Sequence, residues 1–117
     1  MRRLVIVDDH ESFRSWASEV LAHEGFEVLG LAIDARSAVD LVRRLRPDVV
    51  LLDIALPDGD GFDVAEVIAA HATVVLTSSR SAADYGRRVH DSAAIGFLPK
   101  ADLSGEALSG VLDRAAR

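Results

Sequence analysis

Apolar positions along this chain fall into short continuous runs that alternate with stretches of helical spacing. Leu4-Val5-Ile6-Val7 is unbroken, the pattern of a strand buried on both faces. Phe13, Trp16, Ala17, Val20 and Leu21 recur at intervals of three and four, which predicts a helix with one buried face. Gly25 ends it where a left-handed cap is needed. Phe26–Ala32 reads as a second strand, more weakly patterned and therefore nearer an edge. Asp34 can cap a second helix with the stripe Ala38, Leu41, Val42 and Leu45, and Pro47 forbids its continuation. Val49-Val50-Leu51-Leu52 is the most uniformly apolar run and is placed centrally. The turn cluster Pro57-Asp58-Gly59-Asp60-Gly61 leads into a third helix carrying Val64, Val67 and Ile68. Val74-Val75-Leu76 predicts a fourth strand and Ala94–Leu98 a fifth. Between them, Ser81 to about Ser92 reads as the weakest helix, interrupted by Gly86. Leu103, Ala107, Leu108, Val111 and Leu112 restore strong amphipathicity in a last helix. The expectation is one α/β domain over residues 1–117, a parallel sheet of five β/α units covered by helices.

Right-handed crossovers bring the C-terminal ends of such strands to one edge, where open α/β sheets bind ligands. Asp8 and Asp9 follow the first strand, Asp53 the third, Thr77 and Ser78 end the fourth, and Lys100 follows the fifth. Singly, each has an ordinary reading: a helix cap, a turn residue, a hydroxyl bonded to local backbone, a solvated charge. His10 is read as a first-turn surface residue and is given no role. Together the residues point elsewhere. Crowded carboxylates raise one another's pKa values, and a hard divalent cation, most simply a partly hydrated Mg²⁺, resolves that conflict. A carboxylate can also attack phosphorus to form an acyl phosphate, and phosphoryl transfer needs its equatorial charge neutralised. Asp53 is the natural nucleophile because it ends the most buried strand. Lys100 would hold one phosphoryl oxygen as a point charge, and the Thr77 hydroxyl would donate to another.

Composition narrows the picture. The 117 residues carry a formal charge of −6, so the chain repels phosphate backbones and nucleic-acid binding is not expected of it. Lys100 is its sole lysine. It has no cysteine, which excludes thiolate metal sites and disulfides and suits a reducing cytoplasm. Arg2 and Arg3 precede an apolar run that stops at Asp8, too short for a secretory signal or a membrane span.

From end to end the sequence resembles a bacterial response-regulator receiver domain of the chemotaxis-regulator type. The matching motifs, in order, are Val5-Ile6-Val7-Asp8-Asp9-His10, Pro47-Asp48-Val49-Val50-Leu51-Leu52-Asp53, Leu56-Pro57-Asp58-Gly59-Asp60-Gly61, Leu76-Thr77-Ser78 and Gly96-Phe97-Leu98-Pro99-Lys100. The resemblance implies a flavodoxin-like doubly wound sheet with strand order 2-1-3-4-5. It implies a cytoplasmic phosphorelay switch that takes a phosphoryl group on Asp53 from a histidine kinase or phosphotransfer protein. The metal would be Mg²⁺, with Mn²⁺ able to take its place, bound by Asp9 directly, Asp8 largely through water, Asp53 and the Ala55 backbone carbonyl. Thr77 and Phe97 would be the switch pair, the hydroxyl moving to the phosphate and the ring turning inward. Readout would fall on the fourth helix, fifth strand and fifth helix, a candidate surface for a partner or a second copy. Arg80, Arg87, Arg88 and Arg114 are placed on that face.

Three features depart from the pattern. Ala101 stands where many relatives have proline, often after a cis bond that would cost a non-proline about 3 kcal/mol. Ser92-Ala93 occupies a turn where glycine is common, and Ala55 offers no polar side chain to orient water. Many relatives also carry an output domain beyond the receiver, and this chain stops within its last helix.

Rival readings are weaker. A haloacid-dehalogenase-like phosphatase needs a second acid two positions after its nucleophile, and Ala55 stands there. A dinucleotide site needs a glycine-rich turn where Asp8-Asp9-His10-Glu11 is found. A receiver fold used purely as a binding module would be expected to lack an acidic residue or the lysine, and none is lacking.

Overall fold

The computed structural model describes residues 1–115. Five strands form one parallel sheet: β1 (Arg2–Val7), β2 (Phe26–Ala32), β3 (Val49–Asp53), β4 (Thr73–Ser78) and β5 (Gly96–Pro99). Their spatial order is β2-β1-β3-β4-β5, which is the expected flavodoxin-like topology with β2 at an edge. Within β3 every residue from Val49 to Asp53 is buried, because neighbours flank the strand and helices cover both faces.

The helices are α1 (Glu11–His23), α2 (Ala35–Leu45), α3 (Gly61–Ile68), a single turn α4 (Arg88–Asp91) and α5 (Gly105–Ala115). They divide the core in two. Ala38, Val42, Phe62, Val64 and Ile68 pack on one face against Val5, Val50, Leu52 and Leu76. Ala17, Leu21, Leu108, Val111 and Leu112 pack on the other against Leu4, Ile6, Leu51 and Val75. Alternate residues of each strand thus face opposite layers, as the pleat requires.

Local chemistry explains the ends. The Asp34 carboxylate accepts the Ser37 amide at 2.8 Å, a capping box that starts α2, and Arg46 adopts a left-handed conformation before Pro47. Gly25 has a φ of 98°, as the expected left-handed stop to α1 requires.

Four expectations need correction. The segment from Ser81 to Ser92 is a 3₁₀ turn (Ala82–Tyr85) and the short α4, separated at Gly86, whose φ of 60° and ψ of −133° break the helix. The fifth strand begins at Gly96 rather than Ala94, and Ile95 is exposed. Trp16 and Val67 are exposed as well, since the buried faces are set by Ala17 with Leu21 and by Val64 with Ile68. Leu103 is buried but precedes α5.

Candidate functional site

The C-terminal edge of the sheet gathers the predicted polar residues. Asp8 follows β1 and is fully buried, its amide bonded to the Ala32 carbonyl at 3.0 Å. Asp53 is the last residue of β3, buried, and in register with Thr77 on β4. Lys100 opens the 3₁₀ turn Lys100–Asp102 directly after β5. Its peptide to Ala101 is trans, as is every peptide bond among the described residues.

The lysine stands between two carboxylates: Nζ lies 2.5 Å from Asp8 Oδ2 and 3.3 Å from Asp53 Oδ2. Burial pushes the Asp53 carboxyl up to about 6, Asp8 pushes it the same way, and Lys100 with the Ala55 amide only partly offsets them. For Lys100, burial works against the charge, but Asp8 and Asp53 outweigh it and hold the ammonium above its ordinary range.

Asp8, Asp9, His10 and Asp53 each direct one ligand atom into a space less than 4.8 Å across. The three carboxylates of this set suit a hard divalent cation; the imidazole does not add to that preference. Asp8 is completely buried, with Oδ2 against the Lys100 ammonium and Oδ1 accepting the His10 amide at 2.8 Å, so one cation already stands among these carboxylates. Ala55 lies in a small antiparallel hairpin, Ala55–Leu56 with Gly59–Asp60, and donates its amide to Asp53 Oδ1 at 3.2 Å. That bond holds the hairpin backbone beside the carboxylates. Gly61 permits the approach: a Cβ there would lie 2.5 Å from Ile54 Cα and 2.7 Å from the Asp53 carbonyl oxygen.

Thr77 is buried and its hydroxyl has no hydrogen-bond partner, an open valence beside Asp53. Phe97 is half-buried, three residues before the lysine, with Tyr85 6.4 Å from its ring.

Sequence reasoning missed several neighbours. His10, given no role, brings Nδ1 within 3.0 Å of Asp8 Oδ1 and 3.1 Å of Asp9 Oδ1. Its position next to the acid pair was the available signal. Arg14 donates to the Asp8 carbonyl at 2.7 Å, and the Phe13 ring centre lies 4.6 Å from Lys100 Nζ. Tyr85 and Ser78 share a hydroxyl–hydroxyl bond of 2.6 Å. Arg88, the first residue of α4, is exposed, and it also pairs with Asp60, the N-cap of α3, and sits 4.3 Å over the Phe62 ring. Asp60 is thereby kept below the ordinary carboxylate range, burial being outweighed by Arg88 and the Phe62 amide.

The site is thus a cluster of acidic groups with one lysine at the ligand-binding edge of a doubly wound parallel sheet. The chain belongs to the response regulator receiver domain family, whose model matches residues 4–109. It is 36% identical over 101 residues to the transcriptional regulatory protein PdtaR of Mycobacterium tuberculosis, covering 85% of this chain and 49% of that protein. It is 39% identical over 111 residues to a protein-glutamate methylesterase/protein-glutamine glutaminase of Alkalilimnicola ehrlichii, covering 89% of this chain and 28% of that one. The chain thus spans half or less of the length of these curated relatives. Among solved structures, the signal receiver domain of NarL from Mycobacterium tuberculosis superposes with a TM-score of 0.86 at 33% identity, covering 98% and 96% of the two chains. The response regulator domain of Thermotoga maritima CheB shares the fold, with a TM-score of 0.85 at 21% identity. The chain is a receiver domain of a two-component response regulator.

Proposed function

We propose that residues 1–117 form one receiver unit that accepts a phosphoryl group on Asp53 in a Mg²⁺-dependent reaction. The observation that carries this reading is the placement of Asp53, buried in a fixed strand end with Lys100 on one side and the Asp8–Asp9 pair near it.

Asp9, Asp8, Asp53 and the Ala55 carbonyl would hold the cation, with Mn²⁺ as a substitute. When bound, the metal supplies charge neutralisation at the phosphoryl oxygens and permits close approach of carboxylates that otherwise repel. An Asp53 oxygen attacks phosphorus, the new P–O bond forms, and the bond to the donor breaks with its electron pair leaving on the donor atom. Lys100 holds one phosphoryl oxygen. The Thr77 hydroxyl, buried without a partner, is free to donate to another, and Phe97 follows it as the other half of the switch.

The donor class is a histidine kinase or phosphotransfer protein in the cytoplasm. Phosphorylation alters the α4–β5–α5 surface toward a partner, an output domain or a second copy. Among the arginines named above, Arg87 and Arg88 at the start of α4 and Arg114 on α5 are exposed, Arg88 also pairing with Asp60. Chemistry is self-directed, a transfer onto the domain and later loss to water. Among the described residues no helix is long and apolar enough to cross a membrane.

Intact-mass analysis after exposure to acetyl phosphate tests the reading. One labile phosphoryl adduct should form with Mg²⁺, fail to form with chelator, and be absent in Asp53→Asn. No adduct in the wild type, or one that survives that substitution, overturns it.

A further inference from the structure

We infer that Phe13 is a positioning residue for the lysine: its ring face steadies the Lys100 ammonium between Asp8 and Asp53 before a phosphoryl group arrives. The kinetic part of this inference rests on the phosphoacceptor reading above; the structural part does not.

The need comes from lysine chemistry. An ammonium on a four-carbon stem is a mobile point charge without the rigid fork of arginine. Asp8 Oδ2 and Asp53 Oδ2 attract it from 2.5 and 3.3 Å, but the proposed chemistry makes heavier demands on those same carboxylates. Asp8 faces the space where a cation would sit, and Asp53 becomes an acyl phosphate. Attraction to an aromatic face is consumed by neither event. The ring of Phe13 lies 4.6 Å from Nζ, within the range of a cation–π contact. The side chain of Lys100 is 14% exposed, so the contact is poorly screened by water.

The ring is itself braced. Phe13 sits in the first turn of α1 and packs against the core layer that includes Ala17 and Leu21, with Trp16 tilted against it at 6.0 Å. An ordinary packing role for Phe13 would be satisfied by another large apolar side chain. Positioning of the ammonium requires a π-face, and that difference is measurable.

Because Lys100 is the sole lysine, selective ¹³C-lysine labelling yields a single Cε–Hε signal. In the wild type that signal should be displaced upfield by the Phe13 ring current. Phe13→Leu and Phe13→Met should return it toward the position of a free lysine, while Phe13→Tyr should keep the displacement. At saturating Mg²⁺, adduct formation from acetyl phosphate should slow about three- to tenfold in the Leu and Met variants, a loss on the scale of one cation–π contact. Tyr should restore the rate. An undisplaced wild-type lysine signal, wild-type rates in folded Leu and Met variants, or a Tyr variant as slow as Leu each overturns the assignment. If the wild type forms no adduct, the phosphoacceptor reading fails, and the lysine signal alone then decides the contact.

Discussion

At the scale of single residues, the site is an exchange of electrostatic costs. Asp53 carries a carboxyl raised from 3.8 to about 6 by burial and by Asp8, against the pull of Lys100 and the Ala55 amide. In the metal-free protein this group therefore favours folding below about pH 4, and that contribution is lost as pH rises through about 6. Asp53→Asn removes the cost. It should raise the thermal midpoint at pH 7.5 by about 8 °C, from a gain on the order of 2 kcal/mol, with the advantage shrinking toward pH 4. Scans across pH in chelator check both the sign and the window. Reactivity should run the other way, because only the carboxylate attacks phosphorus: adduct formation should fall in acid, at a pH below the metal-free value of about 6 because bound Mg²⁺ favours the carboxylate. Asp9→Ala leaves the buried pair intact but removes a proposed metal ligand. Any Mg²⁺-dependent change in the fluorescence of Trp16, the sole tryptophan, should then vanish, and an unchanged titration would remove Asp9 from the ligand set.

Elements transmit these residue-level demands through close packing. The hairpin after Asp53 can lie against the strand end because Gly61 has no side chain to strike Ile54 and the Asp53 carbonyl. Gly61→Ala should cost about 2 to 3 kcal/mol in urea unfolding, and should weaken metal binding more than a core substitution of equal cost elsewhere. Equal losses at both sites would make the glycine merely structural. Elements were legible in the sequence where local chemistry and pattern agreed. Asp34, Pro47 and the run Val49–Leu52 each announced their roles, and the structure keeps all three. They were least legible between Ser81 and Ile95. There no apolar stripe fixes a helical face, Gly86 interrupts the backbone, and the placement of the segment depends on Tyr85, Ser78 and Arg88 contacts that span distant positions. Trp16 and Val67 show a related limit: spacing names a helix, but its partner layer decides which edge of the stripe is covered.

Over the whole molecule, stability should grade from the central strands to this interrupted segment. Hydrogen exchange should be slowest in β1, β3 and β4 and fastest in 79–95, where residues are mostly exposed and helical turns are short. The gathering of Asp8, Asp53, Thr77 and Lys100 at one edge followed from strand ends and topology, which is why it was readable. His10, Arg14 and Phe13 were not assigned because their roles depend on where α1 begins relative to β1, a matter of angstroms that periodicity does not carry. Which carboxylate takes the phosphoryl group remains the point on which all else turns. The direct measurement is borohydride reduction of the acetyl-phosphate-treated protein, which converts an aspartyl phosphate to homoserine, followed by peptide sequencing. Homoserine at position 53 alone is the expected result; homoserine at position 8 or 9, or none at any position, would contradict it.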